Sequence, residues 1–401
     1  MSDSAPQTVL LLSSAEKGHA FIRECRAQSC YVILLTREKW AHAGWPWESI
    51  DQFETLGSLD EWNDVLGVVN RIARERHIDR IVALDDFDVE CAAMMREHLR
   101  MPGMSYSTSR RFRDKLAMRV AAVDNGIVVP DFVQTLNVSD IAAFVERVNP
   151  PWILKPRGEA AAVGIKKIES VGVLWSALNE LGEKHPYFLV EQYVPGDIFH
   201  VDSVVSEREV VFALPSRYGK PPYDVAHGGG IFTTRTLTPE SGDAQTLRAL
   251  NREVIKALGL VRGVTHTEFI RGHEAGQFYF LETASRVGGA NIAELVEASS
   301  GINLWQEWAR IELATGRRGY TLPEHTDRPA GILISLAHQQ HPDTSAYDDP
   351  EIVWRLNKDF HAGLIVASDS ADRVGELLES YSRRFVDDFS VTMPAPDSLR
   401  H

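Results

Sequence analysis

Two glutamates and an arginine are the residues best suited to chemistry. Glu282 lies in Phe280-Leu281-Glu282-Thr283-Ala284-Ser285-Arg286-Val287-Gly288-Gly289, four residues before Arg286, and Glu268 lies upstream in Val264-Thr265-His266-Thr267-Glu268-Phe269-Ile270. A carboxylate oxygen is a hard donor that can hold a divalent cation, and a planar guanidinium can hold an anion at two points. Arg271-Gly272-His273-Glu274-Ala275-Gly276 has the composition of a turn, so the flanking segments predict a hairpin with Glu268 almost opposite Glu282. Hairpin partners lie roughly 5 Å apart, where like charges repel and call for a counter-ion, a proton or solvent. On these residues alone two readings stand: a shared cation site, or a solvated hairpin edge.

The elements that must carry these side chains are alternating strands and helices. Residues 8–14 form an apolar run, a mixed stretch continues to Ser29, and Tyr31-Val-Ile-Leu-Leu35 is apolar again, which predicts a βαβ opening. Trp62, Val65, Leu66, Val69 and Ile72 recur at helical spacing, Arg80-Ile-Val-Ala-Leu84 reads as a buried strand, and 88–99 as a helix. Residues 1–105 are thus expected to form a doubly wound α/β domain. It has no G-x-G-x-x-G fingerprint, so dinucleotide binding there is not supported. Asp85, Asp86 and Asp88 follow a strand's carboxyl end, and the expectation for them is a solvated acidic loop.

Alternation continues from residue 106 to about 315. A helix carries Arg113 to Arg119, a strand ends in Pro151-Trp-Ile-Leu-Lys155-Pro156, and Ile292, Leu295, Val296, Leu304, Trp308 and Ile311 mark two helices after the hairpin. Beyond it, 330–335 and 363–367 read as strands and 371–384 as a helix, a small C-terminal α+β unit. The chain of 401 residues has room for two to four such units, and 44% hydrophobic with 24% charged residues is ordinary for a globular protein. A net charge of −14 argues against broad nucleic-acid or anionic-membrane binding. Three cysteines without metal-ligand spacing fit a reducing compartment, and the opening segment lacks a basic stretch followed by an apolar core. A cytoplasmic protein is expected.

Three segments precede the hairpin in a definite order: Asp114-Lys115 on a helix, Leu154-Lys155-Pro156 ending a strand, and Val190-Glu191-Gln192-Tyr193-Val194-Pro195-Gly196. This ordered set resembles the ATP-grasp superfamily across residues 106–315. The resemblance implies a nucleotide held between two α+β subdomains, 106–185 and 186–315, behind a pre-ATP-grasp domain and before a C-terminal α+β subdomain at 316–401. It implies that Lys115 and Lys155 contact ATP phosphates, that Glu191 accepts from the adenine amino group, and that the backbone at Gln192 and Val194 reads the ring edge. His200 falls where related carboxylases place a ribose-contacting histidine, and it shares a strand face with Asp202. His227, in Tyr223-Asp-Val-Ala-His227-Gly228-Gly229-Gly230, matches a histidine that approaches the phosphates in those carboxylases.

Glu268 and Glu282 match the superfamily's ligands for Mg2+, or Mn2+ in its place, and Arg286 matches the arginine that binds a substrate carboxylate or the transferred phosphoryl group, with Lys155 as its catalytic partner. Two departures stand out. Ala284 replaces a usual asparagine, which leaves one metal ligand fewer, and the loop Lys155-Pro-Arg157-Gly158-Glu-Ala-Ala-Ala-Val-Gly164 has few glycines. Arg157 there reads either as a phosphate contact or as solvated.

The implied reaction is ATP-dependent ligation of a small-molecule carboxylate to an amine or other nucleophile, through an acyl phosphate, with release of ADP and phosphate. Glu282-Thr-Ala-Ser-Arg286-Val-Gly-Gly-Ala-Asn291 most resembles the amino-acid and dipeptide ligases, with the biotin-carboxylase-like ligases next. The alternatives are a carboxylase-like enzyme activating bicarbonate and a non-catalytic nucleotide-binding regulatory protein. A homodimer is compatible with the resemblance; nucleic acid and membrane are not expected partners.

Overall fold

The computed structural model describes residues 6–160, 163–223, 225, 229–274, 276–314 and 319–391. His227 lies outside the described residues. Three sheets follow one another along the chain. The first comprises β1 (Thr8–Ser13), β2 (Tyr31–Arg37), β3 (Gln52–Leu56) and β4 (Arg80–Ala83), all parallel in the order β3-β2-β1-β4. Every residue of β1 is buried, and its alternation sends Leu10 and Leu12 to one core and Val9 and Leu11 to another. Helices α1 (His19–Ala27), α2 (Trp62–Glu75) and α3 (Val89–His98) cover the two faces.

The segment after α3 leads through α4 (Tyr106–Arg110) and α5 (Lys115–Asp124) to a second, antiparallel sheet. It contains β5 (Phe132–Gln134), β6 (Trp152–Pro156), β7 (Lys166–Ile168) and β8 (Phe188–Gln192), in the order β5-β8-β6-β7. Helices α6 (Val138–Arg147) and α7 (Val171–Leu181) close a compact core around Trp152, which is fully buried and donates its indole N–H to the Val148 carbonyl at 2.9 Å.

The third sheet has eight antiparallel strands. They are β9 (Gly196–Ser206), β10 (Glu209–Tyr218), β11 (Phe232–Thr236), β12 (Gly263–Gly272), β13 (Phe278–Ala284), β14 (Ala330–Leu336), β15 (Ile352–Arg355) and β16 (His361–Ala367). Their order is β13-β12-β9-β10-β11-β14-β16-β15. The C-terminal strands therefore extend the sheet that bears the hairpin, joined to it through β11 and β14. One face receives α5 and α8 (Gly242–Leu258), and α11 (Ala371–Asp388) covers the C-terminal end. Helices α9 (Ile292–Ser300) and α10 (Leu304–Leu313) follow the hairpin. The latter reaches back to the first domain, where Trp308 packs edge-on against Phe21 and Arg310 pairs with Glu24 at 2.9 Å.

Among the described residues no helix is long and apolar enough to cross a membrane. Because Trp152 fills the core beneath the strand that delivers Lys155, Trp152→Ala should destabilise the chain by about 3–5 kcal/mol. Chemical denaturation followed by circular dichroism checks this expectation.

Candidate active site

Strand register places the two acids directly opposite each other: Glu268 of β12 pairs with Glu282 of β13, and the ladder shifts by one residue immediately afterwards. The acids do not form a solvated edge. Glu282 forms an ion pair with Lys115 at 2.8 Å, and Glu268 accepts a hydrogen bond from the Tyr218 hydroxyl at 2.9 Å.

The cations arrive from the other layers. Asp114 caps α5 by accepting from the amides of Leu116 and Ala117, so the helix begins at Lys115. Helical spacing puts Arg119 on the same face one turn later. Lys115 also donates to the Glu159 carbonyl at 2.7 Å. Arg119 is fully buried, holds Glu191 at 2.6 Å and donates to the Leu281 carbonyl beside Glu282. Lys155 on β6 reaches the other oxygen of Glu191, on neighbouring β8, at 2.6 Å. Three cations and two carboxylates thus share one space between the second and third sheets, buried at Glu191 and partly exposed at Glu282.

Pairing decides the ionisation here. Burial raises the Glu282 carboxyl, but Lys115 and Lys155 outweigh it and bring the group to about 2. Burial likewise acts against ionised Glu191, and Arg119 and Lys155 reverse it, so that its pKa is lowered. Lys155 shows the opposite balance: burial depresses its ammonium despite Glu191.

Several sequence expectations change. Both oxygens of Glu191 are committed to cations, so its side chain is not placed to accept from an adenine amino group. The Gln192 N–H donates to the Asp131 carbonyl at 2.7 Å and is likewise engaged. Val194 sits half-buried in the connector between β8 and β9. His200 has no exposed surface, and its two ring nitrogens face Asp202 at 2.7 Å and Thr234 at 2.8 Å, which removes it from any ribose. Alternation along β9 correctly put His200 beside Asp202 but could not reveal that this face points inward.

Arg157 is paired within the protein rather than solvated. It makes a two-point pair with Asp114, and the Lys115 amide donates to its carbonyl at 2.9 Å, so the 157–159 segment is tied to the start of α5. The acidic segment after β4 is also not a solvated loop. Asp85, Asp86 and Asp88 are buried against Lys17, Arg113 and Ser14, respectively. Arg113 also donates to the Gly158 carbonyl at 2.6 Å. Arg286 is partly exposed at this junction, with its guanidinium 4.0 Å from Asp86 and 2.8 Å from its neighbour's carbonyl at Val287.

Three contributors escaped the sequence reading, Arg119, Tyr218 and His266, and Asp86 was expected in solvent rather than against Arg113. Arg119 is one turn after Lys115 and His266 is two residues before Glu268, so helix and strand periodicity carried a signal for both. Tyr218 reaches Glu268 across β9, a proximity that only the strand order reveals.

These layers have the architecture of the ATP-grasp fold. No family model matches the chain. It is 25% identical over 293 residues to an L-arginine-specific L-amino acid ligase of Bacillus subtilis, spanning 71% of this chain and 67% of that protein. It is 26% identical over 181 residues to the D-alanine–D-alanine ligase of Dechloromonas aromatica, 44% of this chain and 58% of that relative. The crystal structure of an L-amino acid ligase from Bacillus licheniformis superposes with a TM-score of 0.76 at 18% identity, covering 97% of this chain and 99% of that one. The chain thus shares its fold with an L-amino acid ligase and is similar in sequence to amino-acid ligases.

Asp88 supplies a pH prediction. Burial and the nearby charge of Asp85 push its carboxyl up to about 7, against the hydrogen bonds it accepts from Ser14. Since an unfolded aspartate titrates near ~3.9, the folded protein holds the extra proton and loses stability as pH rises from about 4 through 7. Asp88→Asn mimics the protonated form. Thermal melts of this variant should match wild type near pH 4 and exceed it progressively up to pH 8.

Proposed function

We propose that the protein is an ADP-forming ligase that activates a small-molecule carboxylate, an amino acid being the favoured class, and joins it to an amine or other nucleophile. The observation that carries this reading is the facing pair Glu268 and Glu282, with Lys115 on Glu282 and Lys155 within the same charge cluster. The amino-acid class is supported by what the matched relatives are named for.

The donor set suits a divalent cation. Two carboxylates opposed across a ladder repel, and the ammonium of Lys115 already sits on one of them where positive charge is needed. Glu268 and Glu282 would hold Mg2+ or Mn2+, which supplies charge neutralisation for the ATP phosphates. Lys115 and Lys155 would turn toward those phosphates, as compact ammonium charges on flexible stems.

Arg286, partly exposed beside the hairpin, would hold the substrate carboxylate or the moving phosphoryl group. One oxygen of that carboxylate attacks the γ-phosphorus, the bond to the bridging oxygen breaks, and ADP leaves. The amine then attacks the acyl carbon, phosphate departs with the electron pair of the acyl C–O bond, and the amine gives up a proton to the departing phosphate. Burial of the site limits hydrolysis of the acyl phosphate.

Lys155→Ala and Glu282→Ala should each lower magnesium-dependent ADP formation by about 10²-fold or more while the far-ultraviolet circular dichroism stays that of wild type. The assay presents ATP, Mg2+ and a panel of amino acids and small acids, and quantifies ADP, AMP and phosphate. Undiminished turnover in both variants would reject the site, and AMP with pyrophosphate would reject the acyl-phosphate route.

A further inference from the structure

Behind Glu268 lies a hydrogen-bonded chain that crosses four neighbouring strands. Tyr218 at the end of β10 is 6% exposed, and its hydroxyl donates to Glu268 Oε1 at 2.9 Å while standing 3.3 Å from His266 Nε2. His266 Nδ1 meets Asp202 Oδ1 at 2.9 Å, and the other oxygen of Asp202 meets His200 Nδ1 at 2.7 Å. His200 Nε2 is 2.8 Å from the Thr234 hydroxyl on β11, which is itself 3.0 Å from the Arg217 carbonyl. The ring of Tyr218 lies against that of His200, with centroids 4.7 Å apart.

His200, Asp202 and His266 bring their candidate ligand atoms within 4.8 Å of one another, which raises a metal site as one explanation. The short contacts argue otherwise. Each oxygen of Asp202 already accepts from an imidazole nitrogen, so the carboxylate is bridged by protons, with no gap for an ion between them. The same pair forms a floor beneath the turn that carries Arg286: a Cβ on Gly288 would lie 2.9 Å from His266 Nδ1 and 3.0 Å from Asp202 Oδ1. Only a residue without a side chain allows that approach without displacement.

We infer that Tyr218, braced by His266 and Asp202, is a positioning residue that fixes the rotamer of Glu268 so that its carboxylate faces a divalent cation bound with nucleotide. A glutamate at a sheet position has three side-chain torsions, and a phenol holding one oxygen removes most of that freedom before the ligand arrives. Outer partners of this kind orient ligating carboxylates, and their loss costs about 10–100-fold in metal affinity.

This inference rests on the assignment of Glu268 to the cation under Proposed function, and one titration separates the two. Mn2+ is titrated into the full chain in the presence of ADP, with free Mn2+ read by electron paramagnetic resonance, and metal-free ADP affinity is measured by calorimetry. Tyr218→Phe should raise the Mn2+ dissociation constant about tenfold while leaving metal-free ADP affinity and the melting temperature as in wild type. Asp202→Asn should weaken Mn2+ in the same direction, and Glu268→Gln should do so more strongly. Wild-type Mn2+ affinity in Tyr218→Phe, with Glu268→Gln impaired, would overturn the positioning role and leave the cation site standing. Unchanged Mn2+ affinity in Glu268→Gln would overturn the cation assignment itself, and this inference with it.

Discussion

The site depends on the neutralisation of two carboxylates, buried Glu191 and partly exposed Glu282, by cations delivered from other elements. Glu191 and Glu282 are each held by side chains from outside their own strand: Arg119 and Lys155 for the first, Lys115 for the second. A carboxylate removed from water without such partners would cost several kcal/mol or take up a proton. The three cations are equally dependent on the two acids. Each set offsets the charge of the other, so the cluster joins α5, the second sheet and the hairpin of the third sheet at one place.

The rest of the architecture serves that junction. The second sheet's small core around Trp152 sets the height of Lys155, and the Asp114 cap fixes where α5 starts and therefore where Lys115 and Arg119 point. The tie between Arg157 and Asp114 brings the segment after Lys155 against the same helix start. From the first domain, Asp86 reaches Arg113, and α10 packs back onto α1. The contacts of α10 carry the helices that follow the hairpin onto the N-terminal sheet, so Arg286 emerges where all three layers meet.

Much of this was legible in the sequence because it was local. The apolar runs at 8–14 and 31–35, the helical stripe from Trp62 to Ile72 and the turn between β12 and β13 each report on a few neighbouring residues; the turn brings Glu268 to within one residue of Glu282, and the ladder shift between Glu268 and Phe269, which no local pattern announces, completes the facing. What sequence patterns do not encode is which layer meets which. The apparent adenine contact at Glu191 and the apparent ribose contact at His200 proved to be interior groups already satisfied by Arg119, Lys155, Asp202 and Thr234. The acids after β4 looked solvated because Lys17, Arg113 and Ser14, their partners, are distant in the chain or hidden in loop composition. The C-terminal strands gave no sign that they would join the hairpin's sheet, since pairing of β11 with β14 spans nearly a hundred residues.

The arrangement now on Glu282 is a lysine doing what a metal ion is expected to do. Under the proposed function this ion pair is exchanged for a metal and a nucleotide. A crystal structure with Mg2+ and a non-hydrolysable ATP analogue tests it most directly. The metal is expected between Glu268 and Glu282, with the Lys115 ammonium moved from Glu282 to a phosphate oxygen. A bound nucleotide with the Lys115–Glu282 pair intact and no metal on either glutamate would contradict it.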